Sequence, residues 1–331
     1  MTVFSVLRRI GRQVGLPAAL AALLVGCGGG TSQIQAFKPS RLIIFGDENS
    51  VIVDDGFHNG RKYTVNGLDA SSVRDCLLLP SWFQSLASNY SFVFAECNAA
   101  SATVQGFIRA RVGAKVDDAK LGIDAQLAAQ AAADSAVKTG DLVGVMLGAN
   151  DVIELSDRVQ AGTLTADEAI AEVRARGTRL AERVNTILAT GARAIVVTIP
   201  DMGLSPYALA QDALKPGAAA RMSTLSSEFN ARLRTSVDAT RFDGRNYGLV
   251  LGDDIVQAMA RFPTSYALNN VVAAVCAKAL PDCTSAAADL VTSDPVATGT
   301  SYLWADDRHI SPQAHTYIGT QAVSRAQNNP F

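Results

Sequence analysis

The stretch Arg41-Leu42-Ile43-Ile44-Phe45-Gly46-Asp47-Glu48-Asn49-Ser50 decides how the rest of the chain is read. Its apolar run lacks the alternation of a half-exposed strand, and Gly46-Asp47 ends it with a turn signal. A run so bounded predicts a short strand buried on both faces. The pattern returns at 142–147 (LVGVML), which stops at Gly148, and at 192–199 (ARAIVVTI), which stops at Pro200. Shorter runs at 92–95 and 248–252 read the same way. Between them, 82–89, 118–133, 165–190, 216–240 and 311–326 are predicted helices. Thr165-Ala166-Asp167-Glu168 carries a capping-box signature, and Pro216 and Pro312 stand where a helix start tolerates proline. Apolar strands separated by amphipathic helices predict an α/β protein, a three-layer α/β/α sandwich with a central parallel sheet. Ligands in such folds bind beyond the carboxyl ends of the strands.

The 331 residues are 48% hydrophobic and 18% charged, with a formal net charge of −2. That composition excludes a disordered chain, and the lack of a Lys/Arg surplus argues against nucleic-acid partners. There is no nucleotide-binding GxxxxGK[ST] loop, no GxSxG elbow and no HExxH helix. The pairs Asp54-Asp55, Asp253-Asp254 and Asp306-Asp307 lack calcium-loop spacing; the first two read as solvated turns. No metal or cofactor is expected. Asn59-Gly60 ahead of residues 61–65 predicts a small hairpin, and 262–300 reads as a loop or insertion near the site.

The first residues read as an address. Arg8, Arg9 and Arg12 precede an apolar stretch, 14–25, shorter than the roughly 20 residues of a membrane span. It ends in Leu24-Val25-Gly26-Cys27, which resembles a bacterial lipobox. The expectation is a signal peptide over 1–26, lipidated Cys27 with a flexible tether over 27–40, and one domain over 41–331. The absence of Asp after Cys27 favours, by that resemblance, an outer-membrane lipoprotein facing the periplasm or the cell surface. In an exported, oxidising setting the other four cysteines form an even set. Proximity favours Cys76 with Cys97 and Cys276 with Cys283, one of three connectivities.

Four blocks lie at the expected strand ends or follow them: Gly46-Asp47-Glu48-Asn49-Ser50, Val112-Gly113-Ala114, Gly148-Ala149-Asn150-Asp151 and Asp306-Asp307-Arg308-His309. In order and spacing they resemble the GDSL, or SGNH, hydrolases, whose flavodoxin-like fold is the sandwich expected above. The resemblance implies hydrolysis of carboxylic esters (acyl lipids, acetylated glycans or small esters), with no cofactor. It implies His309 as general base, Asp306 as its orienter, and the Gly113 N–H and Asn150 amide as oxyanion donors. His58 and His315 read as surface or packing residues.

One position departs from the family pattern. Glu48 stands where the nucleophilic serine is expected. Three explanations follow: Ser50 serves as nucleophile after a local shift, Glu48 contributes directly, or hydrolysis is lost and the pocket binds an acyl or glycan ligand. A carboxylate beside His309 would hold the imidazole protonated, which spoils it as a base.

Overall fold

Leu42, Ile43, Ile44 and Phe45 are fully buried because β1 (Arg41–Gly46), the strand they form, runs through the middle of a sheet covered on both faces. The computed structural model describes residues 37–238, 240–242 and 245–327. The expected leader, Cys27 and most of the tether lie outside the described residues.

After β1, the short strands β2 (Ile52–Val53) and β3 (Arg61–Lys62) pair as an antiparallel hairpin. The remaining sheet strands are β4 (Val93–Phe94), β5 (Val104–Ile108), β6 (Asp141–Met146), β7 (Arg193–Val197) and β8 (Tyr247–Val250). They join β1 in the order β4-β5-β1-β6-β7-β8, every pair parallel. The order reverses direction at β1, which lies between β5 and β6. This switch point is where an open α/β sheet leaves a crevice at its carboxyl edge.

The eight described helices are α1 (Trp82–Asn89), α2 (Ile123–Ala133), α3 (Ala149–Gln160), α4 (Ala166–Ala189), α5 (Pro206–Leu214), α6 (Ala218–Ser236), α7 (Gly252–Arg261) and α8 (Pro312–Gln327). Side chains alternate across a strand, so Leu42, Ile44, Leu142 and Met146 pack on one face with Trp82 and Phe83 of α1 and Ile318 of α8. Ile43, Phe45, Val143 and Val145 pack on the other, against Val152 of α3, Leu180 of α4 and Phe229 of α6. The expected three-layer α/β/α sandwich with a central parallel sheet is the fold that forms. Both expected disulfides, Cys76–Cys97 and Cys276–Cys283, are present.

The structure differs from the sequence reading in places. Strand β5 is not apparent from residue pattern because Gln105 and Gly106 interrupt its apolar run. Helices α3, α5 and α7 lie outside the helices that the residue pattern predicts, and α2 starts only at Ile123, after turns at 118–122. Asp253 is no solvated turn residue: α7 points its N-terminus inward, and the buried carboxylate accepts from Thr198 Oγ1 at 2.7 Å and Asn230 Nδ2 at 3.1 Å and pairs with Arg234. The 262–300 segment holds β9 (Asn270–Ala274), which pairs in parallel with β10 (Tyr302–Trp304) over a small core of Val275, Leu290 and Tyr302. Strand β10 feeds directly into residues 306–309.

Candidate active site

Three strand ends supply the site. Beyond β1, Asp47 caps a single 3-10 turn over Glu48–Ser50, its Oδ1 accepting from Asn49 N at 3.1 Å. Gln126 of α2 clamps the base of this turn. Gly46 N donates to its Oε1, and its Nε2 donates to Gly46 O, each at 2.8 Å. The loop after β5 brings up Gly113, whose φ of +75° is a left-handed conformation that glycine adopts without strain. After β6, Gly148 starts α3 at a φ of +131° and leaves Asn150 in the first turn.

These elements converge on the Glu48 carboxylate. Gly113 N donates to Glu48 Oε1 at 2.7 Å, and Asn150 Nδ2 donates to Glu48 Oε2 at 2.8 Å. Asn150 Nδ2 also reaches Ala114 O at 3.2 Å, which ties the two donor segments together. A backbone N–H and a side-chain amide from different segments, both aimed at one anionic group, form an oxyanion-type site. Here a carboxylate of the chain itself fills it.

Beneath the donors, Asp151 is fully buried and accepts from Val116 N at 3.1 Å and from Arg176 Nη1 at 3.0 Å. Arg176 also binds Glu154 at 2.9 Å and Glu172 at 2.6 Å. Burial pushes the Asp151 carboxyl up to about 7, against the pull of the Arg176 charge. This network joins the loop carrying Gly113 to the helix carrying Asn150.

On the other side of the site, His309 Nδ1 and Asp306 Oδ2 are 2.8 Å apart, and Asp306 Oδ1 accepts from the His309 N–H at 2.7 Å. The tight turn is closed by Ala305 N donating to His309 O at 2.8 Å and by Thr64 Oγ1 donating to Ile310 O at 3.0 Å. Burial alone would lower the His309 pKa; the Asp306 hydrogen bond and the charges of Asp306, Glu48 and Asp47 outweigh it and raise it above 6.5. Burial would likewise raise Asp306, but the hydrogen bond and charge of His309 hold it below its ordinary value. Asp47 is pushed up to about 7 by burial and by the adjacent Glu48 charge. The Tyr63 ring lies 5.5 Å from the imidazole, centroid to centroid.

Ser50 is placed differently from the expectation. It is fully buried beneath the turn, and its Oγ accepts from Trp82 Nε1 at 3.2 Å. The 3-10 turn aims residue 48 into the cleft and residue 50 into the core, so Ser50 presents no hydroxyl to a substrate. His58 is exposed, and His315 is a buried packing residue. Arg176 and Gln126 carry no sequence signal, because a lone polar residue on a helix reads as surface until its burial is known; Asp151 stands in the 148–151 block, but its role beneath the donors shows only in its burial.

An open depression of about 520 Å³ starts at Gly113 and Asn150 and follows α3 past Ile153, Asp157 and Arg158. A larger cavity of about 650 Å³ lies beside the Cys76–Cys97 disulfide, between Gln84, Phe92 and Phe94. None of the site residues lines it, so its size does not make it the place of chemistry. No group of three or more His, Cys, Asp or Glu among the described residues is arranged to hold a metal ion.

The family model for GDSL-like lipases and acylhydrolases matches residues 44–322. The chain belongs to this family. The family assigns it to the hydrolases acting on ester bonds. No curated protein matches the sequence. Among solved structures, it is similar to a lipolytic G-D-S-L family protein from Veillonella parvula, with 10% identity over 86% of this chain and 96% of that one and a TM-score of 0.40. It is also similar to a catalytic mutant of an acetylxylan esterase from Geobacillus stearothermophilus, with 13% identity, coverages of 88% and 95%, and a TM-score of 0.44. An alpha/beta hydrolase from the metagenome of Lake Arreo, Spain, matches at 17% identity, with coverages of 88% and 96% and a TM-score of 0.42. These likenesses are distant, and the family assignment rests on the family match over residues 44–322.

Proposed function

We propose that the chain hydrolyses carboxylic esters in the cleft between Glu48, Gly113, Asn150, Asp306 and His309, and does so at the bacterial cell envelope, held by a lipid on Cys27. The observation that carries the reading is the pair of donors, Gly113 N and Asn150 Nδ2, at 2.7 and 2.8 Å from one carboxylate. Donors that hold a carboxylate in the resting site hold the oxyanion of a tetrahedral intermediate once an ester carbonyl displaces it. Loss of one such donor typically costs on the order of 100-fold in rate. Asp306 fixes His309 through Nδ1, which leaves Nε2 for proton transfer. The depression beside the donors is open, lined by Ile153 and Ala161 side by side with Lys115, Glu154, Asp157 and Arg158, so it can receive an ester of either character.

The test is hydrolysis of short and long acyl esters by the purified protein beside its His309→Ala variant. Turnover by the parent that the variant lacks supports the reading; equal rates sink it. For the anchor, Cys27→Ala moves the protein out of the membrane fraction, and retention there refutes lipidation at this residue.

A second reading is favoured by one specific observation, the burial of Ser50 under Trp82. In it the frame no longer hydrolyses and binds an acyl or glycan ligand. It requires no turnover by the parent, together with turnover by Glu48→Ser.

A further inference from the structure

We propose that Glu48 is itself the nucleophile, attacking the acyl carbon through a carboxylate oxygen, with His309 acting first as acid and then as base. The inference rests on the ester-hydrolase reading and deepens it.

The site offers few alternatives for attack. The Ser50 hydroxyl is sealed in the core against Trp82. Tyr63 is the hydroxyl-bearing ring packed beside His309, but burial and the Glu48 charge both raise its pKa, which disfavours a phenolate. Glu48 has the right address: it occupies the residue position at the end of β1, and its carboxylate already lies between the two oxyanion donors. A shift of this side chain off the donors leaves them to the incoming carbonyl and leaves the carboxylate against its carbon.

A carboxylate nucleophile also resolves the protonation of His309. A serine must lose a proton as it attacks, so its histidine has to be neutral. A carboxylate has no proton to lose; what it requires is an acid for the departing group. Asp306, Glu48 and Asp47 all stand where they favour a proton on His309. In the first step a Glu48 oxygen bonds to the acyl carbon, and the oxyanion sits on Gly113 N–H and the Asn150 amide. The bond to the leaving group then breaks as His309 gives it a proton, producing an acyl-glutamyl anhydride, a free alcohol, phenol or thiol, and a neutral imidazole. In the second step neutral His309 takes a proton from water as the water adds to the anhydride. Collapse releases the carboxylic acid and restores the Glu48 carboxylate and the imidazolium.

Chemistry of this kind selects its substrate by leaving group. An anhydride is a more reactive acyl carrier than an ester, so its formation is easiest where the departing group is itself stable. Thiols and phenols, with ordinary pKa values of about 8.5 and 10, leave far more readily than an alcohol, whose acidity is near that of water at about 15.7. The substrates expected to turn over fastest are therefore thioesters and aryl esters.

The experiment uses the purified full-length protein with p-nitrophenyl acetate, S-phenyl thioacetate and ethyl acetate, beside Glu48→Ala, Glu48→Gln, Glu48→Ser and Ser50→Ala. We expect turnover in the parent and in Ser50→Ala, with the aryl ester and thioester favoured over ethyl acetate by at least 100-fold. Glu48→Ala and Glu48→Gln are expected to fall at least 100-fold, while Glu48→Ser, which supplies a hydroxyl, turns over and shows that the position tolerates replacement. Borohydride added during turnover should reduce the anhydride, and the peptide containing Glu48 should then carry an alcohol by mass spectrometry. Glu48→Ala equal to or faster than the parent, or Glu48→Gln that keeps its rate, overturns the inference while the ester-hydrolase reading stands. So does turnover with no reduction product at Glu48. No turnover of any of these esters by the parent overturns both.

Discussion

Replacing Glu48 with serine perturbs two things at once, the pair of oxyanion donors and the charge beside His309. The carboxylate holds two charge-assisted hydrogen bonds, from Gly113 N at 2.7 Å and Asn150 Nδ2 at 2.8 Å. Bonds of that kind contribute about 1.5–3 kcal/mol each, against about 0.5–1.5 for the neutral bonds that an ester carbonyl makes on arrival. Exchanging two of the first for two of the second therefore costs about 2–3 kcal/mol, and serine is too short to impose that cost. At 1.4 kcal/mol per tenfold, kcat/KM should rise by roughly 30- to 150-fold in Glu48→Ser. The substitution also removes one of the charges that raise His309. The imidazole then titrates lower, and the parent's falling limb, where His309 must carry its proton, gives way in Glu48→Ser to a rising limb, where it must be neutral. The assay is kcat/KM for p-nitrophenyl acetate across pH 5–9, with His309 followed by nitrogen NMR. A folded Glu48→Ser protein no faster than its parent, with an unmoved His309 titration, would refute the reasoning, because the carboxylate would then neither block the donors nor act on the imidazole.

Other outcomes follow from the same contacts. Asp306 is held below 3.8 and His309 above 6.5, so their ion pair stabilises the fold between those two displaced values. The His309 contribution is fully present below 6.5 and is lost as pH rises through its raised value; that of Asp306 is lost as pH falls through its lowered one. Denaturation midpoints of parent and Asp306→Asn should differ most within that window and converge on either side. Arg176→Met strips the buried Asp151 of its cation and should destabilise by about 3 kcal/mol or more in urea titrations. Replacing Cys76 and Cys97 with serine should cost about 3 kcal/mol for a separation of 21 residues, and replacing Cys276 and Cys283 about 2 kcal/mol for 7, by thermal unfolding. Gly148→Ala puts a Cβ at 2.4 Å from the Phe229 ring in a conformation with φ of +131°, and should lower stability by about 2–4 kcal/mol.

Much of this was legible in residue order. The runs 42–45, 142–147 and 194–197 are unbroken because β1, β6 and β7 are buried there on both faces, and a strand with two apolar faces has no polar positions to alternate. Strand β5 escaped because its Gln105-Gly106 pair breaks the run, although β1 and β4 flank it in the sheet. The acid pair at 253–254 resembled a turn because local charge says nothing about which way a helix N-terminus points.

The sequence alone determined the α/β alternation and the family blocks and favoured the two cysteine pairs that form, since periodicity, motif and proximity are properties of neighbouring residues. It also placed Glu48 at the nucleophile position and His309 three residues after Asp306. Tertiary structure alone decided what Glu48 does there. Its two donors lie 65 and 102 residues away along the chain, and they meet only because β5 and β6 flank β1 in the sheet. The burial of Ser50 against Trp82 and the Arg176–Asp151 network beneath the donors were decided the same way, by helices packed over the sheet. Local pattern sets which way a side chain leaves its own strand or helix; what it meets there depends on segments that only the packed core brings together.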